Sequence, residues 1–248
     1  MANPARLLQI ASLLDVTRLT DEDSSAEVEQ WLTDLPLLPT SVAAYCVYPQ
    51  FLAQTSSYIT KKGFTAALAT VVNFPSGNLP VDLVLQQIEQ ALALGAQEID
   101  CVLPYQALLR GEHGFVKHFL YDIRQACAGK CLKIIIESGE LVTAQQIAKA
   151  SELVIDGGAD FVKTSTGKVP VGVTMEAARI ILTVIAASER PVGFKASGGV
   201  RTLQQAEALT ELYESVTGKQ ATAQRMRIGA SAILTELADA ISSQARAK

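Results

Sequence analysis

The chain has 248 residues, long enough to bury a large core and within the range in which an α/β barrel folds as one domain. Its 21 Lys and Arg against 25 Asp and Glu give a net charge of −4, which argues against nucleic acid or an anionic membrane as a partner. Hydrophobic residues make up 49% and charged residues only 19%, which excludes disorder and points to an interior that uses much of the chain.

The N-terminus reads Met-Ala-Asn-Pro-Ala-Arg, then Leu7 to Leu14 before Asp15. That is too short and charged too early for a secretory signal, so the expected location is the cytoplasm. An uncharged stretch from Leu35 to Thr60 is broken by Pro36, Pro39, Pro49 and several polar residues and cannot span a bilayer. Short β-type runs follow one another at Leu13 to Val16, Ala43 to Tyr48, Ala67 to Val72, Glu98 to Leu103, Leu132 to Glu137, Asp160 to Thr164, Val192 to Ala196 and Arg225 to Ile228, starting about 24 to 34 residues apart. Helix-like stretches lie between them, among them Val81 to Leu94, Thr143 to Ile155 and Thr174 to Ala187, each ending near a Gly or a polar break. Eight strand-helix units of this kind predict one domain over residues 1–248, a (β/α)8 TIM barrel. An open doubly wound sheet is the alternative. No Gly-x-Gly-x-x-Gly follows an early strand, and Thr166-Gly167-Lys168 lacks the rest of a Walker A loop.

Barrel strands are covered on both faces and should be apolar, so ionisable residues inside them need a reason. Asp100 lies in Glu-Ile-Asp-Cys-Val-Leu, Lys133 and Glu137 bracket Ile134 to Ile136, Lys163 follows Phe161-Val162, and Lys195 follows Gly193-Phe194. Most sit near the C-terminal end of their strand, where barrel active sites are built. An internal ion-pair network accounts for any one of them alone. Lys163 and Lys195 on consecutive strands, however, would lie side by side, and each ammonium disfavours protonation of the other. A neutral lysine attacks carbonyls to form a Schiff base, and the proton transfers that follow need a carboxylate, for which Asp100 is placed.

A second cluster suits an anion. Thr164-Ser165-Thr166-Gly167-Lys168, Ser197-Gly198-Gly199-Val200 and Gly229-Ala230-Ser231 follow strands six, seven and eight. Small residues there expose backbone N–H groups on one rim, the usual phosphate site of this barrel.

The segments Phe161 to Lys168 and Gly193 to Thr202 resemble the lysine segments of deoxyribose-phosphate aldolases, which are class I, Schiff-base-forming enzymes. Further matches run from end to end: Leu14 to Thr17, Cys46 to Pro49, Val72 to Asn78, Glu98 to Asp100, Ile136 to Leu141 and Gly229 to Ser231. The resemblance implies reversible cleavage of 2-deoxy-D-ribose 5-phosphate to glyceraldehyde 3-phosphate and acetaldehyde, without cofactor or metal and with homodimers as the family expectation. It gives Lys163 the imine, Lys195 the lowering of its pKa and Asp100 the protons. It also places Gly167, Lys168, Gly198, Gly199 and Ser231 around the phosphate, Asp15, Thr17 and Thr166 near the sugar hydroxyls, Cys46 by the aldehyde pocket, and Lys133 among the substrate-binding residues. Two departures stand out. Ala232 replaces a second Ser found in many members, and Ile241 to Lys248 has no Tyr, where some members end in one thought to assist proton transfer.

A related class I aldolase with another donor or acceptor, a non-catalytic sugar-phosphate-binding barrel and a flavin enzyme fit the anion loops too; the lysine pair with Asp100 speaks against the non-catalytic one. His113 and His118 are off helical spacing and read as solvated, Cys127 and Cys131 read as flanking a turn, and Trp31 reads as outer packing.

Overall fold

A computed structural model describes residues 3–246; Met1, Ala2 and the last two residues of the tyrosine-free tail, Ala247 and Lys248, lie outside the described residues. The strands are β1 (Leu14–Arg18), β2 (Ala44–Val47), β3 (Ala67–Val72), β4 (Glu98–Val102), β5 (Cys131–Ile135), β6 (Phe161–Lys163), β7 (Gly193–Ser197) and β8 (Met226–Gly229). Each pairs in parallel with its sequence neighbours, and β8 returns to β1, so the chain forms the expected (β/α)8 barrel. Helix α1 (Pro4–Leu13) precedes β1. The crossovers carry α2 (Ser25–Asp34), α3 (Leu52–Lys62), α4 (Val81–Ala93), the pair α5 (Tyr105–Leu109) and α6 (His113–Ala126), α7 (Ala144–Asp156), α8 (Met175–Ala187) and α9 (Leu203–Thr217), and α10 (Leu234–Arg246) follows β8.

Local chemistry fixes where several loops end. Ser24, Thr143 and Thr202 each accept the N–H of the third helical residue, and Glu27, Gln146 and Gln205 return a bond to the cap's own N–H. Such boxes satisfy two orphan donors at a helix start, at about 1 kcal/mol per cap. They pin the chain where it leaves β1, β5 and β7. At the other end of the sequence order, α1 is tied to α9 and the loop after it: Arg6 pairs with Glu214 at 2.9 Å, and Gln9 donates to Glu214 and to the Ala221 carbonyl.

The two-residue period of a strand divides the sheet into two faces. Tyr45, Leu68, Ile99, Ile134, Val162 and Phe194 join the main core between sheet and helices. Ala44, Cys46, Ala69 and Val71, on β2 and β3, form a separate apolar patch inside the barrel. The remaining inner positions are where the charges fall.

One expectation shifts. Glu137, expected to end the fifth strand, lies beyond β5 with a left-handed φ of 52°, because its carboxylate folds over to Thr166. Trp31 is half-buried against the core, as expected of outer packing, with the Arg18 guanidinium 5.6 Å from its ring. His113 and His118 are exposed, and Lys130 N–H bonds to the Cys127 carbonyl in the turn before β5. Among the described residues no helix is long and apolar enough to cross a membrane.

Candidate active site

Asp100 is the hub of the barrel interior. Its Oδ1 accepts from Lys133 Nζ at 2.9 Å, and its Oδ2 accepts from both Lys163 and Lys195 at 2.7 Å. Lys195 has a second carboxylate, Asp15, at 2.5 Å. Lys133 also binds Glu98 and lies 3.6 Å from Asp15. Arg227 closes the web from β8, donating to Asp15 Oδ1 at 2.6 Å and to Glu98 Oε1 at 2.9 Å.

This distribution separates the lysines. Lys163 has only a shared oxygen of one carboxylate, while Lys195 is held by two and Lys133 by three. At Lys163 burial therefore prevails over the pull of Asp100, and with the Lys195 charge added it pushes the amine below the ordinary lysine range. At Lys195 burial pushes the same way, but Asp100 and Asp15 overcome it and hold the ammonium above the ordinary range; Lys133 behaves likewise. Burial also works against the Asp100 carboxylate, yet the three lysines keep it ionised, well below the usual carboxylate range. The sequence pointed to the neighbouring lysine as what neutralises Lys163; in the structure burial comes first and Lys195 second. Glu137, beyond β5, is a further buried carboxylate near Lys163, besides Asp15, Glu98 and Asp100, which share the web with Lys133, Lys195 and Arg227.

Lys163, 2% exposed, lines a cavity of about 220 Å³ at the C-terminal ends of the strands. Thr17, Thr166, Gly167, Ser197, Gly198 and Gly199 line it too, with Arg201 and Gly229 to Ala232 on its β7–β8 side. The loops after β6 and β7 meet backbone to backbone: a Cβ on Gly172 would collide with the Gly198 carbonyl, and Val173 N–H donates to that same carbonyl at 2.9 Å. Gly198 itself has a left-handed φ of 82°. Glycine is what lets the two loops share this rim. Arg201 adds a cation that the sequence reading passed over inside its Gly-Gly-Val-Arg motif.

A buried lysine held below its ordinary range, a carboxylate 2.7 Å from it and a glycine-rich rim are the parts that chemistry at a carbonyl requires. A family model described as DeoC/LacD family aldolase matches residues 11–235. The chain belongs to this family of aldolases. Among solved structures, the aldolase is similar to QR15, described as an aldolase, at 27% identity and a TM-score of 0.81 over 97% of this chain and 100% of the other. It is similar to a candidate deoxyribose-phosphate aldolase from Coccidioides immitis at 26% identity and a TM-score of 0.80, over 93% of this chain and 86% of that one. A tetrameric deoxyribose phosphate aldolase from Aeropyrum pernix shares the fold at 23% identity and a TM-score of 0.72, over 98% and 94%.

Several side chains of the aldolase stand elsewhere than at the cavity. Asp15, Lys133 and Cys46 are fully buried and outside its lining. Lys133, expected at the substrate, has protein carboxylates as partners. Cys46 is a neutral thiol, pushed up to about 11, chiefly by burial. Thr17 donates to the Asp15 carbonyl at 2.8 Å. Thr166, expected near the sugar hydroxyls, donates its hydroxyl to Glu137 at 2.5 Å and accepts Lys168 N–H at 3.0 Å, so it holds its own loop. Lys168 Nζ reaches Asp21 at 2.7 Å, whose same oxygen accepts from Tyr48, which ties the rim after β6 to the rim after β1. Glu137, raised by burial, is the acid that the sequence noted without giving it a task.

Proposed function

We propose that this aldolase reversibly cleaves 2-deoxy-D-ribose 5-phosphate to D-glyceraldehyde 3-phosphate and acetaldehyde through an imine on Lys163. The observation that carries the reading is that Lys163 alone among the buried lysines both opens onto the cavity and shares a single carboxylate oxygen. Its neutral amine attacks the C1 aldehyde of the open-chain sugar, and loss of water leaves a protonated imine. The C2–C3 bond breaks as the C3 hydroxyl gives up its proton, the electron pair passes to the iminium as an enamine, and glyceraldehyde 3-phosphate departs. Protonation at C2 and hydrolysis release acetaldehyde and restore the amine. Asp100, between the Lys163 and Lys195 nitrogens, suits the proton transfers, and Lys195 is the charged neighbour that disfavours the Lys163 ammonium. The structure from Coccidioides immitis, described as a candidate deoxyribose-phosphate aldolase, supports the substrate. A cytoplasmic location and a homodimeric state belong to the same reading, on family resemblance.

Borohydride reduction in the presence of acetaldehyde should leave an ethyl group on Lys163, read by mass analysis of the peptide. An adduct on Lys195 or Lys168 instead overturns the assignment.

The phosphate would sit against Gly167, Gly198, Gly199 and Ser231, with Lys168 and Arg201 as its cations, away from the bond that breaks. Binding energy there orients the imine carbon towards Lys163. Ser231→Asp would set a carboxylate against the dianion, so kcat/KM for deoxyribose 5-phosphate should fall at least about tenfold while plain deoxyribose is cleaved almost as before. Equal losses on the two sugars, in a folded variant, would move the phosphate elsewhere.

A further inference from the structure

We infer that Arg227 and Glu98 are positioning residues that set the charge of the barrel interior, and so the pH at which Lys163 gives up its proton. The inference rests on the reading of Lys163 as the attacking amine.

Arg227 on β8 is in register with Lys195 on β7, and Lys195 with Lys163 on β6, so three bases stand on three adjacent strands. The acids that answer them come from β1 and β4. The guanidinium spans both: its Nη1 lies 2.6 Å from Asp15 Oδ1 and its Nη2 lies 2.9 Å from Glu98 Oε1. Each carboxylate is thereby divided. Asp15 turns its other oxygen to Lys195, with Lys133 at 3.6 Å, and Glu98 Oε2 is shared between Lys133 and Arg227 Nη1, the latter at 3.2 Å. The guanidinium is also fixed from behind. Phe161 lies 5.4 Å from it, in a space that Gly193 leaves open because a Cβ there would collide with the ring, and Nε bonds the Ala223 carbonyl.

Neither Arg227 nor Glu98 lines the cavity or bonds Lys163; their side-chain partners in the web are Asp15, Lys133 and each other. They act through the lysines. The charged and titratable groups facing Lys163 are Asp100 from β4, Lys195 from β7, Cys46 from β2 and Glu137 beyond β5. Those facing Arg227 are Asp15 from β1 and Glu98 from β4, with Lys195 on the adjoining strand. A guanidinium stays charged at every working pH, so it contributes a constant charge against which only Lys163 titrates. Without it the interior gains a net negative charge and Lys163 keeps its proton to higher pH. Without the Glu98 charge the interior gains a net positive charge, and Lys163 releases its proton at lower pH.

The test follows the acid limb of kcat/KM together with the rate of borohydride-trapped ethyl labelling of Lys163 across pH, on the whole protein. Arg227→Met should move the limb to higher pH and Glu98→Gln to lower pH, each by on the order of one unit. The double variant should return it close to the original position, and Arg227→Lys should leave it there. A structural role alone would lower activity at all pH values without moving the limb. The inference is overturned by shifts of the same sign in the two single variants, by no shift in either, or by a double variant that does not cancel them. Should Arg227→Met fail to fold, the downward shift of Glu98→Gln and the absence of any shift in Arg227→Lys paired with Glu98→Asp, which keeps both charges, decide the matter. Absence of any adduct on Lys163 in the unaltered protein instead refutes the parent reading.

Discussion

Lys163→Met should abolish cleavage, by at least about 10³-fold in kcat, and should leave the protein folded. Met fills nearly the volume of the lysine stem, and burial already works against the ammonium that the substitution removes. The sign of the stability change is open to measurement. Burial first, then Lys195, keeps the folded-state pKa below that of the unfolded chain, against the pull of Asp100. Between those two values the unfolded chain binds one more proton at this residue than the folded one, so the lysine's contribution to stability rises with pH across that window. Urea unfolding of the two proteins should therefore show the variant ahead at neutral pH, with the gap narrowing as pH climbs towards about 10. A variant destabilised at neutral pH would mean that the Lys163 ammonium is a required member of the ion web.

Asp100→Asn should cost on both counts. The carboxylate takes hydrogen bonds from Lys133, Lys163 and Lys195, and two of those lysines are held charged. Removing the charge leaves them facing an amide, and breaking a buried pair from one side costs about 3–5 kcal/mol. Loss of the proton relay should lower kcat by about 10²–10⁴-fold. Activity and unfolding measured on the same preparation separate this outcome from that of Lys163→Met, in which activity falls alone. An inactive variant with unaltered stability would show that Glu98 and Asp15 suffice to hold the lysines.

The barrel was legible because its repeat is periodic, and the central ions were legible because Lys133, Lys163, Lys195 and Asp100 interrupt apolar runs. Glu98 and Arg227 escaped notice for a physical reason. Glu98 opens its run, directly after Gln97, and Arg227 alternates with Met226 and Ile228 as an outward-facing polar residue would. Their pairing joins strands across the barrel, 129 positions apart in the chain, where no local pattern reaches. Glu137 was misread as strand because a left-handed φ is usually signalled by Gly or Asn, and here the Thr166 hydroxyl holds a glutamate in it. The ranking of causes at Lys163 was hidden for a similar reason: the sequence shows that two lysines are neighbours, but not that one is held by two carboxylates and the other by one.

The central carboxylates Asp15, Glu98 and Asp100 all come from β1 and β4, and the bases Lys133, Lys163, Lys195 and Arg227 all from β5 to β8. The strands of the first half thus turn only acids inward, and those of the second half only bases. Two copies of either half would bring like charges together at the axis, whereas the two unlike halves attract. Neither can shed the water around its ions until the other has docked, since an unanswered ion in the interior is so costly.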